Sequence, residues 1–241
     1  MRRNRAASPR KWLRLLLFLA LIPATAGAPV DAAEGNPAAP LAVLFLIPTR
    51  WVVARQFFPI VEMLEEQGVL VEIASDQRHT HTFWEDFVAR QTVGDREPSY
   101  HLAVDLTYDD VCLADYAAVL VPGGHSHHGI IADERAQEIL TAAAATRSVV
   151  GGIGQGVSVL VEFGLVRGRE ATIAPGDKDD APTPNSRRII EEAGGVYVAS
   201  CVVTSPGTES TAIVITSTSR CVTGFARAVL HALFEIEEGA H

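Results

Sequence analysis

Val149-Val150-Gly151-Gly152-Ile153-Gly154-Gln155-Gly156-Val157 reads as an apolar strand that runs into a glycine turn and leaves it as a helix. A strand–turn–helix of this kind lifts the residue at its apex out of a sheet and sets it at the start of the helix. Several enzyme families mount a nucleophile in that way. Here the apex residue is Gly154, which carries no side chain.

Outward from that turn, strands and helices alternate. Leu41 to Ile47 is a continuous apolar run, the pattern of a strand buried on both faces, and Pro48-Thr49-Arg50 breaks it. Phe57, Phe58, Ile60, Val61 and Leu64 recur at helical spacing, Gly68 closes that helix, and Leu70 to Ala74 completes a βαβ unit. Gln77 to Pro98 reads as an irregular polar insertion, and His101 to Leu106 as a short strand. Ala117 to Val121 is a buried strand closed by Pro122-Gly123-Gly124, and Asp133 to Thr146 is an Ala-rich helix. Ser148 to Ile153 and Val157 to Phe163 are the strand and helix on either side of the glycine turn. Ala171 to Ile173 reads as a short strand and Asp177 to Pro184 as a loop. Ser186 reads as the cap of a helix over Arg187 to Ala193, ended by Gly194-Gly195. Val196 to Val203 and Thr211 to Ile215 read as two strands joined at Ser205-Pro206-Gly207, and Val222 to Phe234 as a closing amphipathic helix. This order predicts an α/β fold: a mostly parallel sheet with helices on both faces and a C-terminal hairpin.

The N-terminus has another character. Arg2, Arg3, Arg5, Arg10, Lys11 and Arg14 form a basic region before the apolar run Trp12 to Ile22, and Ala24-Thr25-Ala26 supplies small residues at cleavage spacing. Residues 1–28 therefore read as a secretory signal peptide, with an uncleaved signal anchor as the alternative. Residues 29–40, rich in Ala and Pro, read as a flexible linker, and 41–236 as one domain. Signal removal takes Lys+Arg from 20 to 14 against 29 Asp+Glu, and the formal net charge from −9 to −15. That balance argues against nucleic acid, or an anionic membrane, as a partner held by bulk charge. The cysteines are Cys112, Cys201 and Cys221, an odd number that leaves one thiol over in an exported chain. Cys201 lies in an apolar strand pattern where a buried thiol is the default, although a Cys201–Cys221 disulfide stays open.

In sheets of this type ligands bind beyond the carboxyl ends of the strands. That rule gathers Pro48 to Arg55, then Gly123, Gly124, His125 and Ser126, then Gly154 and Gln155. Asp115-Tyr116-Ala117-Ala118-Val119-Leu120-Val121-Pro122-Gly123-Gly124-His125 resembles the strand–loop signature of the ThiJ/PfpI (DJ-one/PfpI) superfamily. Gly152-Ile153-Gly154-Gln155-Gly156 is similar to that family's elbow, and Gly164-Leu165-Val166-Arg167-Gly168-Arg169 to the segment after the elbow helix. Ala193 to Val198, Val202-Val203 and Ile215-Thr216-Ser217 are similar to its C-terminal hairpin. The resemblance spans about Leu41 to Phe234 and implies a flavodoxin-like three-layer sandwich of the class I glutamine amidotransferase type. It also implies a homo-oligomer, a homodimer or larger.

The departures from the family matter more. Its nucleophilic cysteine falls on Gly154, and counting back four residues from Pro59 places Arg55 where many members carry a Glu that bonds that cysteine. The first reading is therefore an exported, periplasmic or secreted family member without cysteine-dependent catalysis. It would bind a small ligand, such as a carboxylate or phosphate, through Arg55, Gly123, Gly124, His125, Gly154 and Gln155. Against it stands an Arg55 that lies on a solvated helix face. A second reading is a metal-binding or His-dependent protein using His125, His127 and His128, with His79 and His81 in the insertion; solvated histidines are the competing account. A third is the glyoxalase or deglycase chemistry of the family, or a chaperone-like role; the enzymatic version lacks its covalent step at Gly154. No cofactor is assigned.

Overall fold

Two cores, one on each face of a single sheet, follow from the apolar runs read above. The computed structural model describes residues 41–49, 52–78, 80–83, 100–124, 127–173 and 184–239. The strands are β1 (Ala42–Leu46), β2 (Leu70–Ser75), β3 (Thr80–Phe83), β4 (Tyr100–Ala103), β5 (Leu106–Thr107), β6 (Ala118–Val121), β7 (Val149–Ile153), β8 (Glu170–Ala171), β9 (Val196–Tyr197), β10 (Val202–Ser205) and β11 (Ile213–Ser217). The helices are α1 (Ala54–Glu66), α2 (His127–Ile131), α3 (Glu134–Ala144), α4 (Gly156–Glu162), α5 (Pro184–Glu192) and α6 (Val222–Glu238). The main sheet runs β10-β11-β7-β6-β1-β2-β5, parallel throughout except for β10 against β11.

Strand period two splits the apolar side chains between the faces. Val43, Phe45 and Ile47 join α1 and α6 through Phe57, Ile60, Leu64, Phe225 and Val229. Leu44 and Leu46 join α3 and α4 through Ile139, Leu140, Val157 and Leu160. Residues 43–47 have no exposed surface, as a central strand covered on both sides requires. Phe45 and Phe57 meet edge to face with ring centroids 5.0 Å apart, locking α1 onto β1. Asp133 caps α3 by accepting from Ala136 N–H at 2.9 Å.

The structure departs from the sequence expectations in five places. The insertion contains a strand: β3 pairs antiparallel with β4, Thr80 opposite Ala103 and Phe83 opposite Tyr100. The strand expected over His101 to Leu106 divides into β4 and β5, which belong to different sheets. The strand expected over Val196 to Val203 also divides: β9 pairs with β8 in a small separate sheet, and β10 joins the main one. The helix α5 starts at Pro184, so Ser186 lies buried inside it and does not cap it. Cys201 is exposed and bonded to Cys221, with Cα atoms 5.8 Å apart, inside the range a disulfide spans. The signal peptide, the linker, His79 and His125 lie outside the described residues.

Two measurements check these points. Phe57→Ala should lower unfolding stability by about 3–5 kcal/mol, because a fully buried ring is lost from the interface of α1 with β1. Denaturant titration would show it as a lower midpoint with unchanged slope. Thiol titration of native, unreduced protein should find the exposed Cys112 alone, with two further thiols after reduction. Cys201→Ser should cost on the order of 3 kcal/mol for a loop of this length.

Candidate functional site

The carboxyl ends of β1, β6, β7 and β11 converge, and backbone bonds fix how closely. No side chain caps α1. Its start is instead held by Val53 N–H to Gly123 O at 3.1 Å, and Val52 bridges to Gly124. The first turn of α1 is thereby tied to the loop after β6. At the end of β7 the chain turns through Gly154, whose φ is +56°. That left-handed conformation suits glycine and is strained for other residues. Gly154 N–H donates to Ser217 O at 2.8 Å, and Val157 N–H to Gly154 O at 3.2 Å, so the turn is pinned between β11 and its own helix.

Into this junction α1 sends Gln56. The residue is 5 % exposed, and its Oε1 is buried without a hydrogen-bond partner. The amide lies against the α-carbons of two glycines. A Cβ on Gly123 would overlap Oε1, and a Cβ on Gly154 would stand 2.9 Å from it and 3.1 Å from Ser219 Cβ. A side chain at either position would require the Gln56 amide to shift, and at Gly154 the left-handed backbone disfavours one independently. A carbonyl oxygen buried without a partner costs roughly 1–3 kcal/mol relative to a satisfied one. Gln56 is thus kept polar against a cost.

The residues singled out in the sequence distribute unevenly around this point. Gly123, Gly124 and Gly154 are buried at the junction. Gln155 is partly buried at the start of α4 and accepts from Ser158 Oγ at 3.2 Å, which turns its amide back onto its own helix. Arg55 is exposed, whereas its neighbour Gln56 faces Gly154. One residue is 100° of helix, enough to turn a side chain from cleft to solvent. Arg55, four residues before Pro59, thus points to solvent, and Gln56, three before it, is the residue that meets the turn. His127 and His128 belong to α2, with ring centroids 4.0 Å apart. Among the described residues no three His, Cys, Asp or Glu side chains come close enough to hold a metal ion.

Sequence reading missed Gln56 and Ser219. The signal for Gln56 was present: it lies four residues before Ile60 and eight before Leu64, a polar residue on an apolar stripe. Nothing local marks Ser219, which reaches the turn only through the β7–β11 pairing. Nearby, Thr49 Oγ1 donates to Asp76 at 2.7 Å, and Tyr108 OH donates to Ile47 O at 2.7 Å. Burial raises the Tyr108 phenol well above its ordinary range, with Asp76 and Asp133 adding to the effect, so it remains a neutral donor. A separate cleft of about 340 Å³, lined by Arg147, Thr204, Thr208, Glu209, Ile213 and Glu235, opens at the opposite end of the strands, away from Gly154.

Known proteins resemble this chain in sequence and in fold. A deglycase of Pyrococcus horikoshii is 31% identical over 138 residues, which cover 57% of this chain and 75% of that protein. The deglycase PfpI of Pyrococcus furiosus is 28% identical over 138 residues, with the same coverage of both chains. Among solved structures, a ThiJ/PfpI domain protein from Brachyspira murdochii superposes with a TM-score of 0.64 at 16% identity, over 82% of this chain and 99% of the other. Drosophila melanogaster DJ-1beta superposes with a TM-score of 0.60, also at 16% identity, over 84% and 98%. At such identities the superpositions show the fold alone. The DJ-1/PfpI family model matches residues 43–227, from β1 through the glycine turn into α6, and the chain belongs to the DJ-1/PfpI family.

Proposed function

We propose that this chain is an exported DJ-1/PfpI domain that works without a cysteine at the elbow and binds a small molecule in the cleft around Gly154. The observation that carries this reading is the Gln56 Oε1 standing 2.9 Å from where a Cβ on Gly154 would be. A thiol on that turn is absent, and the space for one is partly filled. Deglycase is the activity in the names of the Pyrococcus relatives. A covalent mechanism through the elbow has no nucleophile at Gly154. Export accords with the basic and apolar N-terminus and with a disulfide between Cys201 and Cys221, a bond that persists in oxidising compartments. A homo-oligomeric assembly, as the family resemblance implies, is part of the same proposal.

Consumption of a small 2-oxoaldehyde such as methylglyoxal tests the catalytic side. The native chain should not accelerate it above buffer. Gly154→Cys should stay inactive and lose about 1–3 kcal/mol of stability, because the new Cβ meets Gln56 Oε1 at a left-handed backbone position. Aldehyde turnover by the native chain in proportion to its concentration would overturn the reading. Expression in a bacterium with residues 1–40 intact tests export. Mass spectrometry of extracytoplasmic protein should find an N-terminus just after the Ala24-Thr25-Ala26 stretch, and a cytoplasmic, uncleaved product contradicts it.

A further inference from the structure

We propose that the Cys201–Cys221 disulfide is a thiol-exchange site: a dithiol reductant opens it on the folded protein by attack at Cys201, and its opening loosens the turn at Gly154. The two cysteines are not equivalent. Cys201 is exposed and lies in the irregular link from β9 to β10, between two separate sheets. Cys221 is partly buried immediately before α6, and its carbonyl accepts from Phe225 N–H at 2.8 Å, which fixes it to the helix. Exposed disulfides exchange more readily than sealed structural ones, and an incoming thiolate reaches the exposed cysteine first. A new S–S bond forms at Cys201, and the electron pair of the old one leaves on Cys221 as a thiolate. That charge arises at the N-terminus of α6, which has no side-chain cap and no acidic residue in its first turn. The second thiol of the reductant then attacks the mixed disulfide. The protein gains two electrons and two protons, and the reductant leaves as a disulfide.

The same bond holds the elbow from outside. Residues 218–221 link β11 to α6. On one side Cys221 N–H donates to Thr218 O at 3.2 Å; on the other, Cys201 O accepts from Thr218 N–H at 3.0 Å and from Ser217 Oγ at 3.2 Å. The disulfide keeps these two sides together. Between them, Ser217 O accepts from Gly154 N–H at 2.8 Å, and Ser219 Cβ stands 3.1 Å from where a Cβ on Gly154 would be. Once the S–S bond is open, Cys221 stays with α6, while Cys201 is held only by its link and its hydrogen bonds. Hydrogen bonds at a partly exposed link open far more often than a covalent bond does. Residues 217–219 then lose their tether, and Gly154 is what they touch.

Three measurements on the purified protein, with Cys112→Ser to remove the exposed third thiol, test the proposal. Without denaturant, the rate of reduction by dithiothreitol should rise in proportion to its concentration, as direct attack on the folded chain requires. A rate that does not depend on the reductant means that unfolding must come first, and overturns the exchange site. Acid quenching during reaction with glutathione, followed by peptide mapping, should find the adduct on Cys201 about tenfold or more in excess over Cys221. An adduct mainly on Cys221 overturns the direction of attack. Amide hydrogen exchange reads the coupling. Loss of a disulfide lowers global stability and speeds all amides that exchange by unfolding, so the ratio of the Gly154 rate to the Phe45 rate is the observable. Reduction should raise that ratio about tenfold or more. Cys201→Ser with Cys221→Ser should reproduce the rise without reductant, and the reduced protein itself supplies the measurement if that variant does not fold. An unchanged ratio overturns the link between the disulfide and the elbow.

Discussion

The bond from Val53 N–H to Gly123 O ties the first turn of α1 to the loop after β6, and the arrangement of the site follows from it. Without that tie, α1 would pack on β1 through Phe57 and its neighbours with no fixed end. With it, Gln56 is carried between Gly123 and Gly154, and the three residues become interdependent. A larger residue at either glycine collides with the amide. The turn at Gly154 is held independently by Ser217 O from β11, so neither partner of the amide can readily withdraw.

This interdependence gives the elbow a different meaning in this chain. The strand–turn–helix is intact, and its apex lacks a side chain. The space where a side chain would begin is partly filled by an amide from α1 and the Ser219 side chain. The positions Gly154 and Gln56 form one physical unit, and a change at one is constrained by the other. The nearby disulfide adds a further tie. Thr218 N–H and Ser217 Oγ both donate to Cys201 O, so the loop that carries Ser219 is held by hydrogen bonds as well as by the Cys201–Cys221 link.

Much of the fold was legible because its central strands are apolar on both faces. The runs Leu41 to Ile47, Ala117 to Val121 and Ser148 to Ile153 admit few alternatives in a chain of this length. What was not legible lacks that signature. The strand β3 includes Thr80, His81 and Thr82, polar residues whose extended form depends on pairing with β4. The helix α2 has five residues, two of them histidine and one glycine, too few for a periodic signal. The break between β9 and β10 falls inside an apolar stretch, where local pattern cannot say which sheet a residue joins. At the site, the glycines were legible as turn residues. Which of two adjacent residues of α1 faces the turn was not legible from spacing to Pro59, because it depends on the rotation of the helix, which the apolar stripe carrying Gln56 reports. The disulfide partners lie 20 residues apart, on either side of the β10–β11 hairpin, and only that pairing brings them together.

A crystal structure of the mature domain at a resolution that defines side-chain amides is the most direct test of this account. It should show the Gln56 side chain inside the junction, packed on the α-carbons of Gly123 and Gly154, with Arg55 directed to solvent. A Gln56 turned outward, with Arg55 or an open cavity beside Gly154, would contradict it.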